Sequence, residues 1–469
     1  MTQELSAVRV DEKAALTKTP SRKLIFSIVA VGLFMSSIDA TIVATGLPAI
    51  HRSLHASINW AGWTITVYSL GMVASLPIAG RISDQFGRRR IFLYGITLFT
   101  IASLLCGIAS DIYLLIVFRA LQAIGGGAIQ PSAAGIVADH FGRDRDRAIG
   151  MFGTVASGGQ VIGPIVGGLL VGYLNWRWIF FVNVPIGIGL VIAILKIVPE
   201  SPLLARTKVD ARGLLLMAAF VLAANFGITN FGNKQAVFWE PIVLLPELCA
   251  AVILFMFVRH TMHAADPFIP MRLFRAKGFA VMNTINIFWG GVGFGVASLV
   301  PLYAQERYHF AALSSGTLLT ARGVGAIAVG AAAAFALRRT GYRLPMMVGF
   351  SLVSFGMLII SFAPKWGISP YAWLSIGAGI TGLGNGMANP ASRNACLQFA
   401  PDEVSAITGL RQMFVYIGII FSVSTITAIL NRSPRPGLAQ AHIMWVIAAV
   451  IVVVMVPLVR RVPEYKGHW

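Results

Sequence analysis

Five ionisable side chains stand inside otherwise apolar stretches of this 469-residue chain: Asp39, Arg119, Glu247, Arg322 and Arg411. Asp39 is the one carboxylate in 24–50, LIFSIVAVGLFMSSIDATIVATGLPAI, a run long enough to cross a hydrocarbon core of roughly 30 Å. A charge at that depth costs at least about 2.5 kcal/mol, so an intramembrane carboxylate is by default a functional group, a proton or cation site. Arg119 shares one helix face with Gln122 and Gly126. A guanidinium at depth needs an acid or a ring of acceptors. Asp39 lies roughly 22 Å from the start of its run, and so about 8 Å from the outer edge of the core, and Arg119 lies roughly 10 Å from the start of its own run, which begins at that outer edge, so the two stand at the same level. An apolar setting and a nearby Arg act on a carboxyl in opposite senses, and their balance brings protonation within reach of physiological pH. The plainer reading makes Asp39 only the structural partner of Arg119, and a coupling role would include that pairing. None of the eight histidines lies deep in an apolar run, which argues against a histidine relay.

The remaining polar residues are less specific. Glu247, about seven residues into its run, is a second acidic candidate, although a peripheral partner for interfacial groups is the better reading. Arg322 near mid-depth and Arg411 about 10 Å from an edge can each meet an anionic group or a helix C-terminus. Trp289 with Asn286 and Gly293 makes one stripe, and Asn385 with Asn389 another. Such a mix of aromatic and amide groups suits a roomy cavity for varied amphipathic molecules. Amides that merely pack helices together explain it equally well.

These residues have to be positioned by membrane helices. The chain is 57% hydrophobic and 12% charged, with a mean hydropathy of +0.76; a soluble protein carries about 25% charged residues. The apolar runs are too long for barrel strands. Fourteen spans are expected, at roughly 24–50, 58–80, 91–109, 112–138, 148–173, 178–198, 212–231, 240–258, 279–304, 312–337, 344–363, 371–392, 404–430 and 441–459. An even number puts both termini on one side. Of the 37 Lys and Arg, only Arg52, Arg177, Lys234, Arg307, Lys365, Arg432 and Arg435 fall on the other side, and Arg119, Arg322 and Arg411 fall within spans. The positive-inside rule then places both termini in the cytoplasm. The net charge of +19 is thereby mostly topology, and nucleic acid is not an expected partner. Seven tryptophans near the outer ends of spans, among them Trp60, Trp178 and Trp239, fit an interfacial belt. Residues 1–23 are polar and the first apolar run is too long for a signal core, so no cleavable signal peptide is expected. Cys106, Cys249 and Cys396 all fall in apolar runs, which predicts neither disulfides nor a metal site. With no nucleotide loop, metal cluster or nucleophile–base set, no enzyme activity is expected.

Between the second and third spans stands Gly80-Arg81-Ile82-Ser83-Asp84-Gln85-Phe86-Gly87-Arg88-Arg89-Arg90. Arginines alone would be an ordinary positive-inside loop, but the G-x-x-x-D-x-x-G-R-R-R spacing closely resembles the hallmark cytoplasmic loop of the major facilitator superfamily. Arg338-Arg339-Thr340-Gly341-Tyr342-Arg343 is a weaker echo without the Asp, placed as an internal repeat would be. Arg119-Ala120-Leu121-Gln122-Ala123 resembles the superfamily's R-x-x-Q-G motif, implicated in proton transfer, with Ala123 in place of the Gly. In span five, Gly159, Gly163, Pro164, Gly167 and Gly168 resemble its antiporter signature. Glycines give a flat face for close packing and Pro164 bends the helix. The stretch 176–187, WRWIFFVNVPIG, also matches exporters of this group. Asp39-Ala40-Thr41-Ile42-Val43, Asp266-Pro267-Phe268-Ile269-Pro270-Met271 and Gly409-Leu410-Arg411-Gln412 resemble motifs of its drug:proton antiporters with fourteen spans.

The resemblance implies an all-α polytopic membrane protein of the major facilitator fold: two six-helix bundles (24–198 and 279–459) and a linker, 199–278, carrying an inserted two-helix hairpin, with tails 1–23 and 460–469. It implies alternating access, a cytoplasmic gate of Gly80, Arg81, Asp84, Gly87 and Arg88–Arg90, and coupling through Asp39, Arg119 and Gln122. The implied activity is proton-driven export of hydrophobic or amphipathic compounds, lipophilic cations foremost, by a monomer in the cell (inner) membrane with no cofactor besides the proton gradient. A specific metabolite exporter, a proton-coupled importer and a non-transporting sensor are the alternatives.

Overall fold

Inside a bilayer no water is available to backbone N–H and C=O groups, so an apolar run must satisfy them within itself, as a helix. The computed structural model describes residues 21–141, 145–200, 210–233, 236–264, 267, 276, 278–296, 299–399 and 404–464, and among them there is no strand. The first bundle is α1 (Arg22–Ser53), α2 (Ile58–Phe86), α3 (Arg88–Ile108), α4 (Ile112–Phe141) and α5 (Arg145–Tyr173), with α6 (Trp178–Ile197). A hairpin follows, α7 (Ala211–Phe231) and α8 (Pro241–His263). The second bundle is α9 (Phe279–Trp289), α10 (Val300–Tyr308), α11 (Ala312–Thr340), α12 (Arg343–Ser361), α13 (Pro370–Leu397) and α14 (Val404–Arg432), with α15 (Pro436–Val459).

Among the described residues, ten helices are long and apolar enough to cross a membrane: α1–α4, α6–α8, α12, α14 and α15. The other expected spans are α5, α9 with α10, α11 and α13. The single helix expected over 279–304 is interrupted, since α9 runs into a π-helical turn, Gly290–Val296, ahead of α10. Close packing explains the interruption. A Cβ at Gly290 would overlap the Val415 carbonyl of α14, and one at Gly418 of α14 would overlap the Ile287 carbonyl of α9.

The two bundles repeat one packing scheme. Counting α9, the π-turn and α10 as one element, the first helix of each bundle packs on the fifth, the second and third on the fourth, and the third on the sixth. The junction between second and third helices repeats as well: Gly87 (φ 101°) and Gly341 (φ 71°) each make the turn in backbone conformations that favour glycine. Two residues on, Arg89 donates to the Ile194 and Leu195 carbonyls and pairs with Glu200 at the end of α6. Arg343 donates to the Val462 carbonyl and pairs with Glu464 at 3.5 Å, past the end of α15. The weak sequence echo is thus a structural repeat.

The bundles meet through α2 against α14 and α5 against α11. Two contacts mark the seam on the side opposite the termini: Thr66 and Ser424 hydroxyls are 3.1 Å apart, and Gly316 of α11 sits on the Pro164 carbonyl. The hairpin covers this seam. Asn59 and Trp63 of α2 donate to the carbonyl (2.6 Å) and hydroxyl (2.5 Å) of Thr229 on α7. Arg432 of α14 donates to the carbonyls of Phe231 and Ala236 at 2.6 and 2.9 Å. Burial separates the roles of these helices, for the apolar window of α2 is 82% buried and that of α8 only 17%.

The α9–α14 approach gives the first prediction. Gly418→Ala, whose new methyl meets backbone on both sides, is expected to destabilise the protein by about 1–3 kcal/mol, seen as a lower Tm in detergent. An unchanged Tm would contradict this packing.

Candidate functional site

Asp39 sits near the middle of α1 and is fully buried, as are Arg119 and Gln122 of α4. Arg119 Nη1 donates to Asp39 Oδ2 at 2.7 Å and to Gln122 Oε1 at 2.6 Å. The Gln122 amide donates to Asp39 Oδ1 at 2.9 Å and to Ser103 Oγ of α3 at 2.5 Å. Asn183, near the start of α6, donates to the same Asp39 Oδ1 at 3.1 Å. Donors from α4 and α6 therefore converge on one carboxylate of α1, with Ser103 of α3 behind them. Arg119 Nε reaches the Thr64 carbonyl of α2 at 3.3 Å, and the guanidinium carbon lies 4.1 Å from the Tyr68 ring centroid and 5.6 Å from that of Phe180. Each ring is close enough for cation–π attraction. The arrangement holds a charged pair away from water, with both carboxylate oxygens of Asp39 accepting hydrogen bonds. Asp39, Arg119 and Gln122 come together as the depth argument expects.

Asn183 and Ser103 were not singled out. Asn183 lies within the quoted 176–187 stretch, where an amide in an otherwise apolar run was the available signal. Ser103 gives none, because serine is common at helix contacts in membranes.

The span-five glycines explain how α1 is held. Gly159, Gly163 and Gly167 lie one turn apart and face Ser37, Thr41 and Thr45, also one turn apart on α1. A Cβ at Gly163 would overlap Thr41 Oγ1 and come within 2.9 Å of the Ile38 carbonyl. The threonine hydroxyls turn back onto α1, Thr45 to the Ile42 carbonyl at 2.7 Å. Pro164 and Gly168 face the other way, onto Gly316 of α11. One helix so fixes the Asp39 helix on one face and the second bundle on another.

At the expected gate, Gly80 faces Pro131 of α4 and Gly87 makes the turn. Arg88 binds the Gly135 carbonyl at 3.1 Å and pairs with Asp139 of α4, and Arg90 joins Arg89 at Glu200, 3.5 Å away. These contacts all lie within the first bundle. The side chains of Arg81 and Asp84 lie outside the described residues, as do Asp266, Gly409 and most of 265–277.

The residues assigned to a cavity separate into two kinds. Asn286 is a packing amide: it accepts from Ser392 Oγ of α13 at 3.0 Å and donates to Cys396 Sγ at 3.4 Å. Asn389 accepts from Arg411 at 2.8 Å, so these two form a pair between α13 and α14. Trp289, Arg322 and Asn385 do line one pocket inside the second bundle. Glu247 lies beside Gly227 at the α7–α8 contact, away from the Asp39 cluster.

The sequence profile of the Major Facilitator Superfamily matches residues 29–423. The chain belongs to the major facilitator superfamily. It is 30% identical to the multidrug transporter protein MdtP of Bacillus subtilis (strain 168), over 88% of this chain and 76% of that one. It is also 30% identical to the tetracenomycin C resistance and export protein of Streptomyces glaucescens, over 87% of this chain and 77% of that one. Among solved structures, a D-xylose-proton symporter superposes with a TM-score of 0.69 at 15% identity, covering 95% of this chain and 99% of that one. It is a helical, multi-pass membrane protein of a transporter family, with small molecules as its class of cargo.

The ion pair carries a stability prediction. Arg119→Met leaves a buried carboxylate without its cation and is expected to cost about 3–5 kcal/mol. Adding Asp39→Asn removes the orphaned charge and should recover much of the loss. Thermal unfolding of both variants in detergent decides it: a double variant no more stable than Arg119→Met would contradict the pairing.

Proposed function

We propose that this transporter is a proton-coupled efflux antiporter of fourteen spans, α9 and α10 forming one broken span, which exports hydrophobic or amphipathic compounds from the cell as a monomer. Both termini face the cytoplasm in this reading, as the distribution of Lys and Arg supports. The names of its relatives, multidrug transporters and a resistance and export protein, support efflux. The observation that carries the coupling is the buried Asp39, the acid on which Arg119, Gln122 and Asn183 all converge.

The cycle follows from what holds Arg119. A proton entering from outside neutralises Asp39, turning an acceptor oxygen into a donor and removing the anion that Arg119 balances. The guanidinium keeps the Thr64 carbonyl and the Tyr68 ring, both on α2. Two residues from Thr64, Thr66 reaches Ser424 of the other bundle. A change of charge at Asp39 thus acts on the helix that forms the seam, and the bundles rock about it. In the cytoplasm-facing state, cargo entry and return of Arg119 to Asp39 expel the proton. Asp84 with Arg81 and Arg88–Arg90 closes the cytoplasmic side in the outward-open state.

The test is substrate-induced proton movement in proteoliposomes holding a pH gradient, with a panel of dyes of different charge. Wild type should release protons with dye uptake against the gradient, and Asp39→Asn should abolish the coupling while dye binding persists. Coupling that survives the substitution would move the proton site elsewhere, Glu247 being next. Uptake of dye and proton in the same direction would make the protein an importer.

A further inference from the structure

Tyr68 of α2 has a ring that is engaged and a hydroxyl that is not. The ring lies against Arg119, with the guanidinium carbon 4.1 Å from its centroid. The hydroxyl is buried without a hydrogen-bond partner, in a residue 3% exposed. A phenol left unpaired away from water costs free energy, so the group asks for a reason. Its place is defined by Gly126, one turn beyond Gln122 on α4. A Cβ at Gly126 would stand 3.1 Å from the Tyr68 oxygen, whereas Met72 Sδ and a Phe99 ring carbon would be at 3.6 Å, an ordinary contact. The glycine thus leaves a notch whose one tight neighbour is the phenol oxygen.

Protonation of Asp39 gives this idle oxygen a use. While Asp39 is charged, Arg119 Nη1 is taken up by Asp39 and Gln122, and Nε by the Thr64 carbonyl. A protonated Asp39 no longer balances the guanidinium, and one of its oxygens donates instead of accepting. The buried cation then needs another acceptor close by. The phenol oxygen is carried by the very ring on which the guanidinium rests, so a short slide along that ring brings donor and acceptor together. The other titratable groups at this place are Cys106 of α3, 3.9 Å from Gln122 Oε1, and Tyr416 of α14. Neither is charged at neutral pH, so the charge that Arg119 answers to is that of Asp39.

We propose that Tyr68 is a positioning residue of the proton site: its hydroxyl, idle in the Gly126 notch while Asp39 is charged, accepts a hydrogen bond from Arg119 when Asp39 is protonated. This rests on the proton-coupled reading above. The proton itself stays on Asp39, and Tyr68 acts through Arg119. The bond exists only in the protonated state and therefore favours loading of the proton; without it, more acid is needed to load the site. Tyr68 stands two residues from Thr66, which meets Ser424 of the second bundle, so a phenol drawn out of its notch pulls on the helix at the seam.

The test is the pH profile of dye-induced proton movement in proteoliposomes for wild type, Tyr68→Phe, Gly126→Ala and the double variant, with thermal unfolding of each in detergent at neutral pH. Tyr68→Phe keeps a ring on Arg119 and removes only the acceptor, so its half-maximal pH should fall by about one unit. Its Tm should not fall, because the hydroxyl removed is unbonded while Asp39 is charged. Gly126→Ala crowds the hydroxyl in the charged state alone, and its profile should move to higher pH. With phenylalanine at 68 the new methyl meets no oxygen, so the double variant should follow Tyr68→Phe. An unshifted profile or a lower Tm for Tyr68→Phe, or single variants that shift in the same direction, would overturn this inference and leave coupling through Asp39 standing. Wild type that moves no protons with any dye at any pH would overturn both.

Discussion

A carboxylate and a guanidinium facing each other in the middle of a membrane protein constrain everything around them. Desolvating Asp39 and Arg119 costs several kcal/mol per ion, repaid only when geometry is tight and the remaining donors and acceptors are filled. That requirement brings α1 within reach of α4, puts Ser103 of α3 and Asn183 of α6 around the carboxylate, and sets a carbonyl and an aromatic ring of α2 against the guanidinium. The ladder of glycines on α5 follows from the same demand. Only hydrogen atoms fit where Ser37, Thr41 and Thr45 stand, and a bulkier face would push α1, and Asp39 with it, out of register.

α2 links this cluster to the rest of the molecule. Over about ten residues it gives Asn59 and Trp63 to the hairpin, the Thr64 carbonyl to Arg119, Thr66 to Ser424 of the second bundle, and the Tyr68 ring to Arg119 again. Any change in how Arg119 is held is felt where the bundles touch. The hairpin is tied into the same place, since Thr229 and the carbonyls after it are bound by α2 on one side and by Arg432 of α14 on the other. A hairpin that clasps both bundles adds to the work of separating them on that side.

The ion pair was legible in the sequence because depth alone limits a buried charge to partners at its own level. The glycine spacing was legible because a helix repeats every 3.6 residues, and the turn between α2 and α3 because glycine takes positive φ at little cost, as Gly87 does. What was hidden has physical reasons. Asn183 and Ser103 are single polar residues in apolar helices, and their aim depends on how helices are rotated in the bundle. Asn286 and Asn389 fall on the same stripes as Trp289 and Asn385, yet one pair packs helices and the other faces a pocket, a difference of rotamer and neighbour that spacing cannot register. The span expected over 279–304 reads as one helix because its apolar pattern continues through the interruption; what meets it there is the backbone of α14, far away in sequence.

The two bundles share a packing scheme but divide the charge. The first keeps an acid and a base in mutual neutrality, a state that one proton upsets. The second sets its arginines against neutral acceptors, Arg322 on the Gly293 carbonyl and Arg411 on the Asn389 amide. What joins the two halves is α2, whose Thr64 carbonyl holds Arg119 in the first bundle while its Thr66 meets Ser424 of the second, so the ion pair and the seam rest on one helix.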